Sequence, residues 1–458
     1  MASETTASGA TPGPAAQPEL KRAIGPKLLL FFVIGDILGT GIYALTGTVA
    51  GKVGGALWVP FLLAFVVAFL TAFSYLELVG KYPRAAGAAL YTNRAFGIPF
   101  LTFMVAFAVM SSGLTSASSA AQAFSGTYLQ QFVSVPAWVI AIGFIVLLAL
   151  VNYRGVGESV KANVVLTCVE LTGLLIVIAV GFLALTQGKG DPGRLVEFNT
   201  QGQTTLFAIT SATSLAFFAM VGFEDSVNMA EECQDPVRIF PRSMLVGMGV
   251  AGLIYLLVAL TSSLLVPVDE LKGAGGGALL KVVQTGAEHF PLKLFAFIGL
   301  FAVSNSALIN MLMASRLVYG MANERIIPRQ FGRVHPLRRT PWVSILFTSA
   351  IAVVLVSTVD LALLGGTTSL LLLAVFTIVN IAVLVLRREK VEHRHFRTPT
   401  AVPILGAVTC AYLASPLSGR PGKEYLIAGV LLLVGLALWG VNHLFLRRGR
   451  TRAGALAE

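Results

Sequence analysis

Apolar stretches long enough to cross a bilayer recur about twelve times along this 458-residue chain, and two of them are interrupted by glycine well inside the span. About 20 helical residues cross roughly 30 Å of hydrocarbon. By that measure the spans are 28–51, 56–80, 98–131, 136–153, 160–186, 205–230, 243–266, 292–322, 342–359, 361–387, 401–417 and 424–446. The first is broken at Gly39-Thr40-Gly41, and the sixth at Gly222, with Glu224 and Asp225 just beyond. In hydrocarbon every backbone N–H and C=O must be paired, so unwound chain persists there only where protein buries it or where it lines a watery cavity. The predicted fold class is therefore an all-α polytopic membrane protein of about 12 transmembrane helices, with helices 1 and 6 discontinuous.

Composition agrees: 56% of residues are apolar and only 12% charged, which excludes an ordinary soluble domain. The third and eighth spans are long enough to tilt or to run past the membrane. Residues 1–27 read as a disordered cytoplasmic tail, rich at first in Ala, Ser, Thr, Pro and Gly. Lys21, Arg22 and Lys27 lead into a span too long for a cleavable signal.

The net charge of +11 raises the question of nucleic acid, but its placement answers it. With a cytoplasmic N-terminus, the outer face holds only Lys52, Lys189, Arg194, Lys272, Lys281, Lys293, Arg420 and Lys423, which leaves 25 of the 33 basic residues inside. Both termini are thus predicted to be cytoplasmic, in a multi-pass protein of the plasma membrane that binds no nucleic acid. Clusters such as Arg329, Arg333, Arg338, Arg339 and Arg387, Arg388, Lys390 read as topology signals and contacts to membrane lipid. Cys168, Cys233 and Cys410 fit neither a zinc site nor a redox pair, and the five histidines fall in loops or at a helix end. His393 and His395 could hold a metal by spacing, but a solvated basic loop is the plainer setting. No metal, cofactor or catalytic constellation is expected.

Helices 1 and 6 are five helices apart, and five is odd. A five-helix unit repeated once must re-enter the membrane in the opposite sense, giving a 5+5 inverted repeat with its interface near the midplane. This divides the chain into repeats at 28–204 and 205–390, two peripheral helices at 391–446 and a basic cytoplasmic tail at 447–458.

Backbone physics says what such breaks offer. A half-helix starting near Ile42 presents unpaired N–H groups and the positive end of its dipole, which suits a carboxylate. The carbonyls of Phe218, Ala219 and Val221 end the other half-helix and suit an ammonium. One site with both ends fits an α-amino acid, with the surrounding pocket selecting its side chain. The competing reading is that these glycines serve only close helix packing; two breaks in corresponding positions favour function.

The stretches GDILGTGIYALTG (35–47), KYPRAAGAALYTNRAFG (81–97), FFAMVGFEDSVNMAEECQDPVRIFPRSM (217–244) and SRLVYGMANERIIPRQFGRVHPLRRTPW (315–342) resemble the amino acid–polyamine–organocation superfamily. Within it the chain is most similar to bacterial amino acid permeases related to cationic amino acid transporters. The resemblance implies a leucine-transporter-like fold, alternating access and, commonly, proton-coupled uptake. Carried over, it implies that Gly39, Thr40 and Gly41, with Ile42 following, hold the substrate carboxylate, that Phe218, Ala219 and Val221 hold its amine, and that Phe218 is an aromatic lid.

Three acids bear on coupling. Many proton-coupled bacterial relatives place a lysine midway along helix 5, where this chain has Glu170. A carboxyl in low dielectric can carry a proton at neutral pH, stay ionised beside a cation such as sodium, or serve as a structural hydrogen-bonding group. Asp36 replaces a usually small or apolar residue and could pair with Glu170 or face the cytoplasmic vestibule. Glu224 sits where an acid is common in relatives, whereas Asp225 is less usual. On an α-helix the two point about 100° apart, so one is expected to line the pocket and the other to bond nearby backbone. Extra negative charge favours a cationic solute.

Blander readings cover other polar groups. Ser111, Ser112, Ser116, Ser118 and Ser119 permit close helix contact, with some of them lining the pathway as the alternative; Glu77 caps or pairs with loop arginines; Glu231, Glu232 and Asp235 form an ion network with Arg238 and Arg242. If helices 5 and 8 meet as the resemblance implies, Ser304, Asn305 and Ser306 are the expected partners of Glu170. A secondary carrier for amino acids, using protons and no cofactor, is the reading that results. A polyamine or organic-amine exchanger and a non-transporting nutrient sensor are the alternatives; a channel lacks its filter and an enzyme its catalytic groups.

Overall fold

The computed structural model describes residues 22, 24–83, 87–154, 159–198, 202–324 and 326–454. Among them ten helical segments are long and apolar enough to cross a membrane, and two shorter apolar helices add to these. The protein is an all-helical, multi-pass membrane protein. The expected tail at 1–27 lies outside the described residues except for 22 and 24–27.

The first span is two helices, α1 (Pro26–Ile37) and α2 (Thr40–Val53). Proline opens α1, where its missing N–H is no loss. α3 (Trp58–Lys81) leads to a short α4 (Gly87–Phe96), then α5 (Pro99–Ala123), α6 (Ala137–Arg154) and α7 (Ser159–Thr186). The second broken span starts with α8 (Thr205–Ala216), capped by the Thr204 hydroxyl on Phe207 N–H, and is followed by α9 (Pro236–Leu265). Two short helices, α10 (Val268–Ala274) and α11 (Ala278–Gly286), precede α12 (Leu292–Asn323), α13 (Trp342–Thr358) and α14 (Leu361–Leu386). α15 (Ala401–Ala414) and α16 (Gly422–Gly454) end the described chain. α16 stays helical to Gly454, so the expected basic tail at 447–458 is helical over its first eight residues.

Three elements lay outside the predicted spans. α4, α10 and α11 are too short to cross a bilayer, and apolar length, the signal used to find spans, misses them. α13 and α15, at 17 and 14 residues, fall short of the usual crossing length.

Packing puts the broken spans at the centre. α1 lies against α7 and α9, α2 against α8, and α3 against both α8 and α9. α5 packs on α12 and α14, and α6 on α13. α15 and α16 lie outside, against α14 and its neighbours.

Both ends of the bundle are stitched by buried ions. At the basic end Arg387 makes a two-pronged bond to Glu77, 2.8 Å to Oε1 and 2.7 Å to Oε2, and donates to the Thr398 carbonyl. Thr398 N–H completes the Glu77 shell at 2.9 Å. Lys81 donates to the Leu386 and Glu389 carbonyls. Glu77 thus pairs with an arginine as expected, and Arg387, a partly exposed residue at the end of α14, has a structural partner as well as its place in a basic cluster. The network expected among Glu231, Glu232, Asp235, Arg238 and Arg242 is not formed: among the described residues none of these is ion-paired with another.

Arg420, assigned to the outer face by charge counting, is 7% exposed. It donates to the carbonyls of Leu413, Gly366 and Ser214 and to Glu424 at 2.7 Å, joining α8, α14, α15 and α16. Arg420→Met keeps length but leaves Glu424 buried without its partner, a loss of about 3–5 kcal/mol in comparable buried pairs. A clear drop in melting temperature of the detergent-purified protein is the expected result; an unchanged value would make the pair dispensable.

Candidate functional site

At the first break Leu38 leaves helical dihedrals, with ψ at 94°, and α2 begins at Thr40. At the second, α8 passes into a 3-10 turn over Phe217–Met220, Val221 is extended, and Gly222 adopts φ +127°. The chain beyond, Asp225–Glu232, is 3-10 rather than α-helix. Asp, Ser and Asn bond nearby backbone in place of the helix, as Ser226 Oγ does at 2.6 Å from the Phe223 carbonyl.

The two breaks meet backbone to backbone. A Cβ at Gly41 would sit 2.8 Å from both N and Cβ of Ala219, and one at Gly222 would sit 2.7 Å from the carbonyl carbon of Asp36. Gly39 lies against the Ser306 hydroxyl of α12. The main-chain approaches at Gly41 and Gly222 require glycine, and Gly222 also has a φ that other residues avoid.

Between them lies a cavity of about 20 Å³, bordered by Asp36, Gly39, Thr40, Gly41, Phe218 and Val221, and also by Gly222, Asp225, Ser116, Ser306 and Asn310. That volume suits a water molecule and is too small for an amino acid. Of the expected binding residues, Ile42 and Ala219 do not border it. A second cavity of about 20 Å³ shares Val221, Asp225 and Asn310 and adds Glu224, Ser112 and Gly113. Lys, Arg and His border neither cavity, whereas three acids do.

Glu224 and Asp225 therefore both face the second cavity, contrary to the helical-wheel expectation, because the segment carrying them is not α-helical. Glu224 also accepts the Gly222 N–H at 2.9 Å, the backbone bond expected of one of the pair. Asp36 Oδ2 and Thr40 Oγ1 are buried without hydrogen-bond partners. Ser112 and Ser116, for which packing was the first reading and the pathway the alternative, border the cavities, as do Asp225, one of the acid pair, and Ser306, expected instead beside Glu170; Asn310 was not singled out. Signals for them existed only as polar side chains on apolar helices.

Glu170 sits apart from both cavities, fully buried on α7, with neither carboxyl oxygen hydrogen-bonded. Of its three expected partners Asn305 approaches it without closing a hydrogen bond, and Ser306 borders the first cavity beside Gly39.

Tyrosines, which the sequence reading passed over, brace the first break. Tyr255 on α9 donates to the Ile37 carbonyl at 2.5 Å, Tyr43 to the Glu170 carbonyl at 2.7 Å, and Tyr128 to the Tyr43 carbonyl at 2.8 Å. Tyr128 ends a π-helical turn, Phe124–Tyr128, that extends α5. Such turns recur at functional sites. Tyr255→Phe strands a buried carbonyl and should cost about 1–3 kcal/mol, read as a lower melting temperature. No change would mean that another group satisfies Ile37.

A multi-pass helical bundle with two unwound spans facing a polar central cavity is the architecture of a membrane transport protein. Residues 24–434 match the amino acid permease family, and the chain belongs to it, within the amino acid–polyamine–organocation superfamily. It is 25% identical to the branched-chain amino acid permease of Bacillus subtilis, over 92% of this chain and 93% of that one. It is 28% identical to the methylthioribose transporter of the same species, again over 92% and 93%. Cationic amino acid transporter 4 of Homo sapiens is 26% identical over 82% of this chain and 61% of its own length.

Proposed function

We propose that the protein is a secondary carrier that takes amino acids across the plasma membrane by alternating access, coupled to protons, with both termini cytoplasmic. The observation that carries this reading is the contact between the two breaks, Gly41 on Ala219 and Gly222 on Asp36, around one polar cavity. The N–H groups of Gly39, Thr40, Gly41 and Ile42 take the carboxylate, and the carbonyls of Phe218, Ala219 and Val221 take the amine. The cavity must widen for this, by displacement of the Phe218 ring and of the half-helices. Glu170, Asp36 and Glu224 carry the coupling charge.

The packing of α3 on α9, α5 on α12 and α6 on α13 supports the inverted repeat of 28–204 and 205–390, since each pair holds corresponding members. α13 and α15 complete the twelve crossings in this reading, and 391–446 is the peripheral pair.

A second reading concerns substrate class. Three acids and no basic residue border the cavities, which favours a cationic amino acid, a polyamine or another organic amine over a neutral amino acid. Thermal-shift screening of amino acids and amines, then counterflow of the labelled hits in proteoliposomes, tests both. Exchange across the sealed membrane is expected, strongest for cationic solutes. Binding without exchange would instead identify a sensor.

A further inference from the structure

We propose that the basic end of the bundle carries a phosphate-binding pocket between α6, α12 and α13, separate from the central site and taken by the headgroup of an acidic phospholipid. The pocket has a volume of about 570 Å³ and is bordered by Arg316 of α12 and by Arg338 and Arg339 of the loop before α13, with no acidic residue. Among the described residues none of these guanidinium groups is in an ion pair. Asn152 of α6 also borders it; this residue is 2% exposed, and neither atom of its amide has a hydrogen-bond partner. A buried amide without partners costs stability unless something else bonds it. A phosphate accepts from such an amide and from arginines, which suit it geometrically.

The pocket is built, not a chance gathering of surface charge. Thr340 Oγ1 donates to the Tyr153 carbonyl at 3.0 Å, and the Arg338 guanidinium lies over the Tyr153 ring at 5.3 Å. The turn between is closed by His335 N–H on the Thr340 carbonyl and Arg339 N–H on the His335 carbonyl, both 2.9 Å. Within it Arg339 adopts φ +55°, alone among the described non-glycine residues in having positive φ. Backbone held in that region for a bulky residue is a cost that accompanies functional placement of its side chain.

Position selects the lipid over a free anion. Leu147 and Leu150 on α6 and Leu346 on α13 are each more than half exposed, so the helices that carry the pocket also present apolar surface to acyl chains. Leu337, at the turn's tip, is 89% exposed, as expected of a side chain that reaches into a membrane surface.

The test titrates the detergent-purified full chain with short-chain phosphatidylglycerol, phosphatidylcholine and inorganic phosphate while following the melting temperature. Phosphatidylglycerol should raise it at concentrations where phosphatidylcholine does not, and R316Q/R338Q/R339Q should weaken that binding on the order of a hundredfold. N152L should weaken it without changing charge. If the triple variant does not fold, loss of the wild-type shift in high salt and the N152L titration decide. Inorganic phosphate shifting the protein as strongly as the lipid would keep the phosphate pocket and overturn the lipid as its occupant. An equal shift by phosphatidylcholine, or an undiminished shift in both variants, would overturn the pocket itself.

Discussion

Gly222→Ala should reduce transport at least about a hundredfold. An L-residue at its φ of +127° is strained, by about 1–2 kcal/mol on the scale set for left-handed backbone. The added methyl would also lie 2.7 Å from the Asp36 carbonyl carbon and 3.1 Å from Ile37 N, atoms that no rotamer change can move. The strands of the two breaks must separate, which misplaces the N–H and carbonyl groups proposed to hold the substrate, and displacement of about 1 Å is enough for such a loss. Counterflow in proteoliposomes measures the effect, and the melting temperature of the same preparation separates misfolding from misplacement. Near-normal exchange by a folded Gly222→Ala protein would remove the break from the transport site.

Glu170→Gln should abolish the dependence of uptake on a pH gradient while exchange of substrate persists. The carboxyl is fully buried, unpartnered and set on α7 away from both cavities, so it is placed to influence coupling without touching the solute. Glutamine keeps shape and hydrogen-bonding capacity but has no proton to gain or lose. In proteoliposomes the wild type should accumulate solute when the outside is made acidic, whereas the variant should only equilibrate it. Retained acid-driven accumulation in the variant would transfer the proton to Asp36 or Glu224; loss of both accumulation and exchange would mark Glu170 as structural.

The bundle was legible because bilayer thickness imposes a length on apolar helices, and boundaries such as 292–322 against the observed Leu292–Asn323 follow from that single constraint. Where the membrane sets no length, the reading failed: α4, α10 and α11 looked like loops, and α9 begins at Pro236, earlier than its apolar run. The breaks were legible through Gly39, Gly41 and Gly222, whose lack of a side chain is itself the signal. Charge is legible in sequence as a distribution and not residue by residue. Arg420 and Arg387 look in sequence like any loop arginine, and only tertiary structure brings Glu424 and Glu77 to them. Only one of Glu224 and Asp225 was expected at the pocket, because a helical wheel was applied to a segment that folds as a 3-10 helix. Tyr43, Tyr128 and Tyr255 carried no local mark, since a hydroxyl's distant carbonyl partner has no trace in the chain.

The contact between the interrupted spans restricts how this protein can evolve. At Gly41 and Gly222 the obstruction includes main-chain atoms, of Ala219 in one case and of Asp36 and Ile37 in the other. Trimming a neighbour's side chain therefore frees no room, and a lesion at either glycine has no simple second-site suppressor. Revertants selected from such lesions should restore glycine itself, or carry changes on α7 or α9 that let whole rods slide.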